Sequence, residues 1–274
     1  MDDARSTDTA SVANAPPTTL SSAGRVVELA RPVVLFALFV ALSARLPWWA
    51  TVPFGLATVF AWSILVHDLI HNALRLPRVW GDLALAGGAM FLVKSGHALR
   101  ALHRVHHREC LEEIDTEGNV VFQSFVRLAL TGPWLALKAR AESWKADPKT
   151  HRWQLAETAF NVATVVALPL LAWRLRHPAP LVYWGCVVAV TITAPVWGAK
   201  IPHMVPYRHP FVRRVASWTG RLTPAVASVL LHELHHRRPG LPVALLPAHQ
   251  HVLDDGAESD CARRMESHDE GAQL

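Results

Sequence analysis

Eight histidines fall in three tight groups: His67 and His71 in HDLIH, His103, His106 and His107 in HRVHH, and His232, His235 and His236 in HELHH. On a helix, residues at i, i+3 and i+4 share a face, so each group gathers its imidazoles on one side. Neutral imidazole is the commonest protein ligand for metals, and an i/i+4 pair aims two rings at one ion. Eight such ligands exceed the demand of a single tetrahedral zinc. They suit two five- or six-coordinate ions that keep positions open for a small oxidant. An all-nitrogen set is compatible with iron, copper, zinc or nickel by softness alone.

The elements that must position these groups are apolar. The 274-residue chain is 51% hydrophobic and 18% charged, richer in apolar residues and poorer in charge than a soluble domain. Four runs, at roughly 29–49, 52–67, 155–175 and 181–201, approach or reach the ~20 residues that cross a bilayer. The second is completed by running on through HDLIHNAL. Short turns near 45–53 and 174–180 make these runs two hairpins. Of the 27 Lys and Arg residues, all but Arg45, Arg174 and Arg176 lie in the N-terminal lead, in the central segment 75–154, or from Lys200 onward. The positive-inside bias therefore places both termini, the central segment and all three histidine groups on the cytoplasmic face.

The expected fold is an all-α integral membrane protein, with four transmembrane helices in two hairpins and a cytoplasmic helical cap holding a His-rich di-metal site. Stretches 83–93 and 120–144 are too short or too interrupted to span and are expected to lie in plane or re-enter. A last helix is expected from Thr223-Pro224 through AVASVLLHELHH. Residues 25–252 make the membrane domain. The polar lead 1–24, which has no signal-peptide core, and the acidic tail 253–274 are expected to be disordered. Cys110, Cys186 and Cys261 contain no CxxC pair, so neither a disulfide framework nor a thiolate metal site is expected, in keeping with a reducing compartment. The basic balance is explained by topology, without a nucleic-acid partner. Ligand number and placement at a membrane edge favour a pair of irons that activate dioxygen.

The set resembles the membrane fatty-acid desaturase superfamily, which includes carotenoid ketolases and hydroxylases. HDLIH, HRVHH and HELHH look like its three histidine boxes, and RRPGLPVALLP resembles the run that commonly trails the third. The 31 residues between the first two boxes are similar to the desaturase branch. The resemblance implies two histidine-bound irons, with O2 and two electrons used on a C–H bond of a lipid, acyl or carotenoid. It also implies a ninth ligand, His203 in GAKIPHM, where carotenoid ketolases have a similar Leu-Pro-His. Acyl-CoA desaturases are expected to have Asn one turn earlier, and this chain has Ala199, which puts the acyl-CoA subtype in question. Neither an HPGG haem signature nor a Gly-rich nucleotide fingerprint occurs. Electrons are therefore expected from a separate donor such as a ferredoxin or a cytochrome b5-like protein.

Ligating histidines usually give their other N–H to a carboxylate or carbonyl. Asp68 and Asp115 are the expected partners, with Glu117 and Glu233 also nearby in sequence. Arg75, Arg104, Arg108, Arg237 and Arg238 surround the boxes, where they serve a topological belt or attract an anionic head group. His97 fits the face of His103 poorly and is left out of the ligand set. His151, His177, His209, His249, His251 and His268 are left out because they do not repeat at ligand spacing. Two other classes compete. HELHH also satisfies HExxH, a zinc protease with Glu233 as base and Asp255 as a third ligand. A bis-histidine haem or metal-transport protein is the non-enzyme alternative.

Overall fold

The computed structural model describes residues 16–220 and 223–271, and they are helical, with no strand among them. Most of the lead expected to be disordered lies outside the described residues. The first helix, α1 (Ser22–Ser43), starts where the Ser21 hydroxyl accepts the Gly24 N–H at 3.1 Å, a cap worth about 1 kcal/mol. After a short turn α2 (Trp48–Ile70) runs back along it. The shorter helices α3 (Arg78–Phe91) and α4 (Gly96–Glu109) follow. Next come α5 (Phe125–Ala146), α6 (His151–Leu175) and α7 (Ala179–Ile192).

Three helices are long and apolar enough to cross a membrane: α1, α2, and α6 with the turn before it. At 1.5 Å per residue, α1 alone spans about 33 Å, matching a hydrocarbon core. The fourth expected span is not one straight helix. α7 ends at Ile192, and after a bend of 51° the chain continues as a π-helical turn, Pro195–Lys200, into α8 (Ile201–Met204). Pro195 accounts for the bend, because it brings no N–H and its ring collides with the preceding turn. Counting the bent pair as one span gives four.

The main core lies between α2 and its neighbours, where Phe39, Trp62, Val66, Leu69, Leu85, Tyr183 and Val187 pack together. Trp62 stacks on Phe91 with ring centroids 4.2 Å apart. α3 and α4 meet closely at Gly96, where an added Cβ would stand 2.7 Å from the Leu85 carbonyl oxygen. α5 turns Val126, Leu130, Trp134 and Leu137 outward, an apolar face suited to lipid.

The last third of the chain forms a second core around Leu231, Leu234, Val243 and Leu246. It contains α9 (Pro210–Thr219), α10 (Pro224–Leu230), α11 (His232–Arg237), a run of 3-10 turns over Val243–Asp254, and α12 (Asp260–Gly271). The expected single helix through HELHH is broken at Leu231, whose side chain is fully buried and whose ψ is 29°. Tertiary packing overrides helix propensity there. The tail also departs from expectation, since α12 forms within it and Leu253 and Cys261 are buried. Its lack of apolar periodicity hid contacts made mostly by polar groups and one cysteine.

Candidate metal centre

Box one closes α2. His67 lies in the last turn, and His71 is the cap residue, its N–H directed at the His67 carbonyl oxygen at 3.3 Å. Box two lies on α4. The hydroxyl of Ser95 caps that helix by accepting the Ala98 N–H at 3.2 Å and also donates to Glu157 of α6 at 2.5 Å. Box three is α11 itself, and His203 ends the bent fourth segment.

These four pieces bring all nine expected residues into one cluster, organised as two quartets. His67, His71, His103 and His235 form one, and His106, His203, His232 and His236 form the other. Within each, one ring nitrogen per residue lies within 4.8 Å of the others. Boxes two and three therefore split between quartets, because neighbours such as His235 and His236 point about 100° apart on a helix. His107 stands between the quartets, its Nε2 2.9 Å from that of His235 and 3.1 Å from that of His103.

Hydrogen-bond partners on the outer side fix the ring orientations. His106 donates from Nδ1 to Asp115 at 2.8 Å, His103 from Nδ1 to Glu117 at 2.9 Å, and His203 from Nδ1 to the Ala199 carbonyl oxygen at 2.7 Å. In each the proton sits on Nδ1 and the Nε2 lone pair faces the cluster. Asp115 is itself held by the backbone N–H groups of Leu111, Glu117 and Gly118. Gly118 is required there, since a Cβ would collide with the Asp115 carboxylate and stand 3.1 Å from His106 Nδ1. Leu111 reaches Asp115 from a left-handed conformation, φ 66°, which costs about 1–2 kcal/mol.

Burial pushes the pKa of His107, His232, His235 and His236 down, and repulsion from neighbouring imidazoles adds to it. These rings are neutral, the form that binds metal. Burial also works against a charged His106, yet its hydrogen bond to Asp115 and the charges of Glu117 and Asp115 raise its pKa overall. Burial raises the Glu117 carboxyl, but the adjacent His103 outweighs this and holds it below the usual range.

The donor set fits metal ions. Nε2 atoms of His106 and His236 approach to 3.2 Å, and those of His232 and His236 to 3.1 Å. Two lone pairs at that distance need a proton or a cation between them, and the depressed pKa of both His232 and His236 disfavours the proton in that pair. His67 Nδ1, His71 Nε2 and His235 Nδ1 are buried without a hydrogen-bond partner in the protein, each costing about 1–3 kcal/mol if left so.

Several expectations require correction. Asp68 orients no box histidine; its carboxylate accepts the Val243 N–H at 3.1 Å and ties box one to the 3-10 run. Glu117, noted in sequence only as a nearby acid, is the partner of His103. Cys110 and Cys261 form a disulfide across 151 residues, a separation at which sequence spacing reports nothing about proximity. His97, left out of the ligand set in sequence, is in neither quartet and belongs to a different buried group, bonded to Glu157 at 2.7 Å and stacked on Trp153. Glu233 is tied to Arg237 at 2.9 Å and to Ser259 at 2.6 Å, while Asp255 pairs with Arg237 and joins neither quartet. That arrangement leaves the zinc-protease assignment without a free base and without Asp255 as its third ligand.

A cavity of about 490 Å³ opens beside the second quartet. His203, His232 and His236 line it, with Phe122, Lys200 and Met204 among the other walls. No residue of the first quartet does.

The fatty acid desaturase family model matches residues 44–267. The chain belongs to that family, and the membrane-length apolar helices agree with it. No curated protein and no solved structure matches the chain.

Proposed function

We propose that the protein is a membrane-bound lipid desaturase or hydroxylase whose nine histidines hold two irons. The convergence of three boxes and His203 into two imidazole quartets carries this reading. Bound there, the irons supply the activation of O2 that removes hydrogen from an unactivated C–H bond, with two electrons from a separate donor. The chain's own residues do the positioning. Asp115, Glu117 and the Ala199 carbonyl oxygen fix three rings. The apolar side chains in the cavity wall, Phe122 and Met204 among them, admit a stretch of lipid chain to the second quartet. The quartets and both termini lie on the cytoplasmic face in this reading, where the donor docks.

Carotenoid oxygenation is the second reading, favoured by one residue. Ala199, buried one turn before His203, offers only its backbone oxygen where a side-chain amide would mark an acyl-CoA enzyme.

Expression in a host supplied with acyl lipids and carotenoids, followed by mass spectrometry of lipid extracts, tests both. Loss of two hydrogens indicates desaturation, and gain of oxygen indicates hydroxylation or ketolation. Metal analysis of the purified protein is expected to give iron; zinc alone would overturn the assignment. Glu233→Gln separates the protease class, because it would abolish peptide hydrolysis but leaves the imidazole set whole.

A further inference from the structure

We propose that Cys110–Cys261 is a reversible disulfide that straps α12 over the cavity, making access to the second quartet dependent on thiol redox state. This rests on reading that cavity as the lipid entrance. Ala262, Met265 and Glu266 of α12 form one wall of the cavity, facing Phe122 and Met204. The tail is fastened at the ends of boxes two and three. Arg264 donates to the Cys110 carbonyl oxygen at 2.7 Å and pairs with Glu112 at 3.2 Å, and Ser259 caps onto Glu233. The disulfide is the one covalent fastening among these, and the polar ones are exchangeable with water.

Its location argues for reversibility. On the cytoplasmic face, thiol buffers reduce permanent disulfides, and those that do form there are transient or redox-sensing. Cys110 and Cys261 are buried, but Cys261 borders the cavity, so a small dithiol reaches the bond from that side when α12 loosens. One thiolate of the dithiol attacks a cysteine sulfur, the Sγ–Sγ bond breaks, and the second thiolate closes the reductant's own disulfide. Two electrons and two protons pass to Cys110 and Cys261. Oxidation by a disulfide or a diazene reverses the change. In the disulfide-bonded chain the two sulfurs lie within 4.8 Å of ring nitrogens of His203 and His236, so the strap and the metal centre share a wall.

The test uses the full chain in native membranes, treated with diamide or with dithiothreitol, then denatured and alkylated for a thiol count by mass. Diamide is expected to protect two of the three cysteines, Cys110 and Cys261, and dithiothreitol to release them. Hydrogen exchange over 260–271 and 203–207 is expected to be about tenfold slower in the oxidised protein, and lipid turnover lower. Cys261→Ser should exchange at the reduced rate and ignore diamide. Three reactive cysteines after diamide would overturn the proposal, as would equal exchange in oxidised wild type and Cys261→Ser. Thiol count and exchange need no turnover, so they report on the strap even if the lipid assignment fails.

Discussion

The two quartets use the same ligand type and the same boxes, yet they sit in different surroundings. The second faces the cavity through His203, His232 and His236, while the first, contributed by α2, α4 and α11, lines none of it. Their outer partners differ too. Asp115, beside His106, is buried and holds three backbone N–H groups, whereas the Glu117 side chain beside His103 is 32% exposed. Identical imidazoles are thus given unequal tasks by what stands behind and in front of them. In the proposed reaction the second quartet is the one that meets substrate, and the first supports it.

The largest expected effect ignores that inequality. Replacing His71 in the first quartet or His232 in the second by Ala should abolish turnover and lower iron per chain, read by metal analysis and lipid mass spectrometry. Wild-type-like activity in one variant from each quartet would dissolve the shared centre. Next come the outer partners. Asp115→Asn should cost roughly 10–100-fold in activity or metal affinity, and Glu117→Gln less, because its group is nearer water. Equal losses would erase the distinction between the quartets.

Filling the cavity should act on the second quartet alone. Met204→Trp is expected to lower kcat/KM by roughly tenfold through misplacement of the substrate, with iron content unchanged. The smallest effect on chemistry belongs to His97→Ala. It leaves Glu157 short of one partner, at a cost of about 1–3 kcal/mol in stability, visible as a lower unfolding temperature. Turnover per folded molecule should hardly move.

Much of this centre is legible in sequence because i/i+4 histidines beside apolar runs constrain geometry strongly. Eight of the nine converging residues and the helical spans follow from that pattern, and His203 follows only from the family resemblance. What sequence hides depends on closures over long separations. Box three breaks at Leu231 because that side chain fills a distant core. The assignment of His235 to one quartet and His236 to the other follows from how α11 docks. Cys110 and Cys261 look isolated until α12 folds back, and Asp68 looks like a histidine partner until Val243 arrives from 175 residues away.

Glu157 has a consequence for how the chain is built. It is 1% exposed near the start of α6, the candidate span that otherwise faces most outward. A lone carboxyl group entering a bilayer is costly, but Ser95 and His97, made some sixty residues earlier, both bond to it. Emergence from the ribosome in chain order puts the acceptor's partners at the membrane before the third span arrives. The hydrogen bonds that hold α4 against α6 in the folded chain would then be available as the third span inserts, tying the second histidine box to the helix behind it.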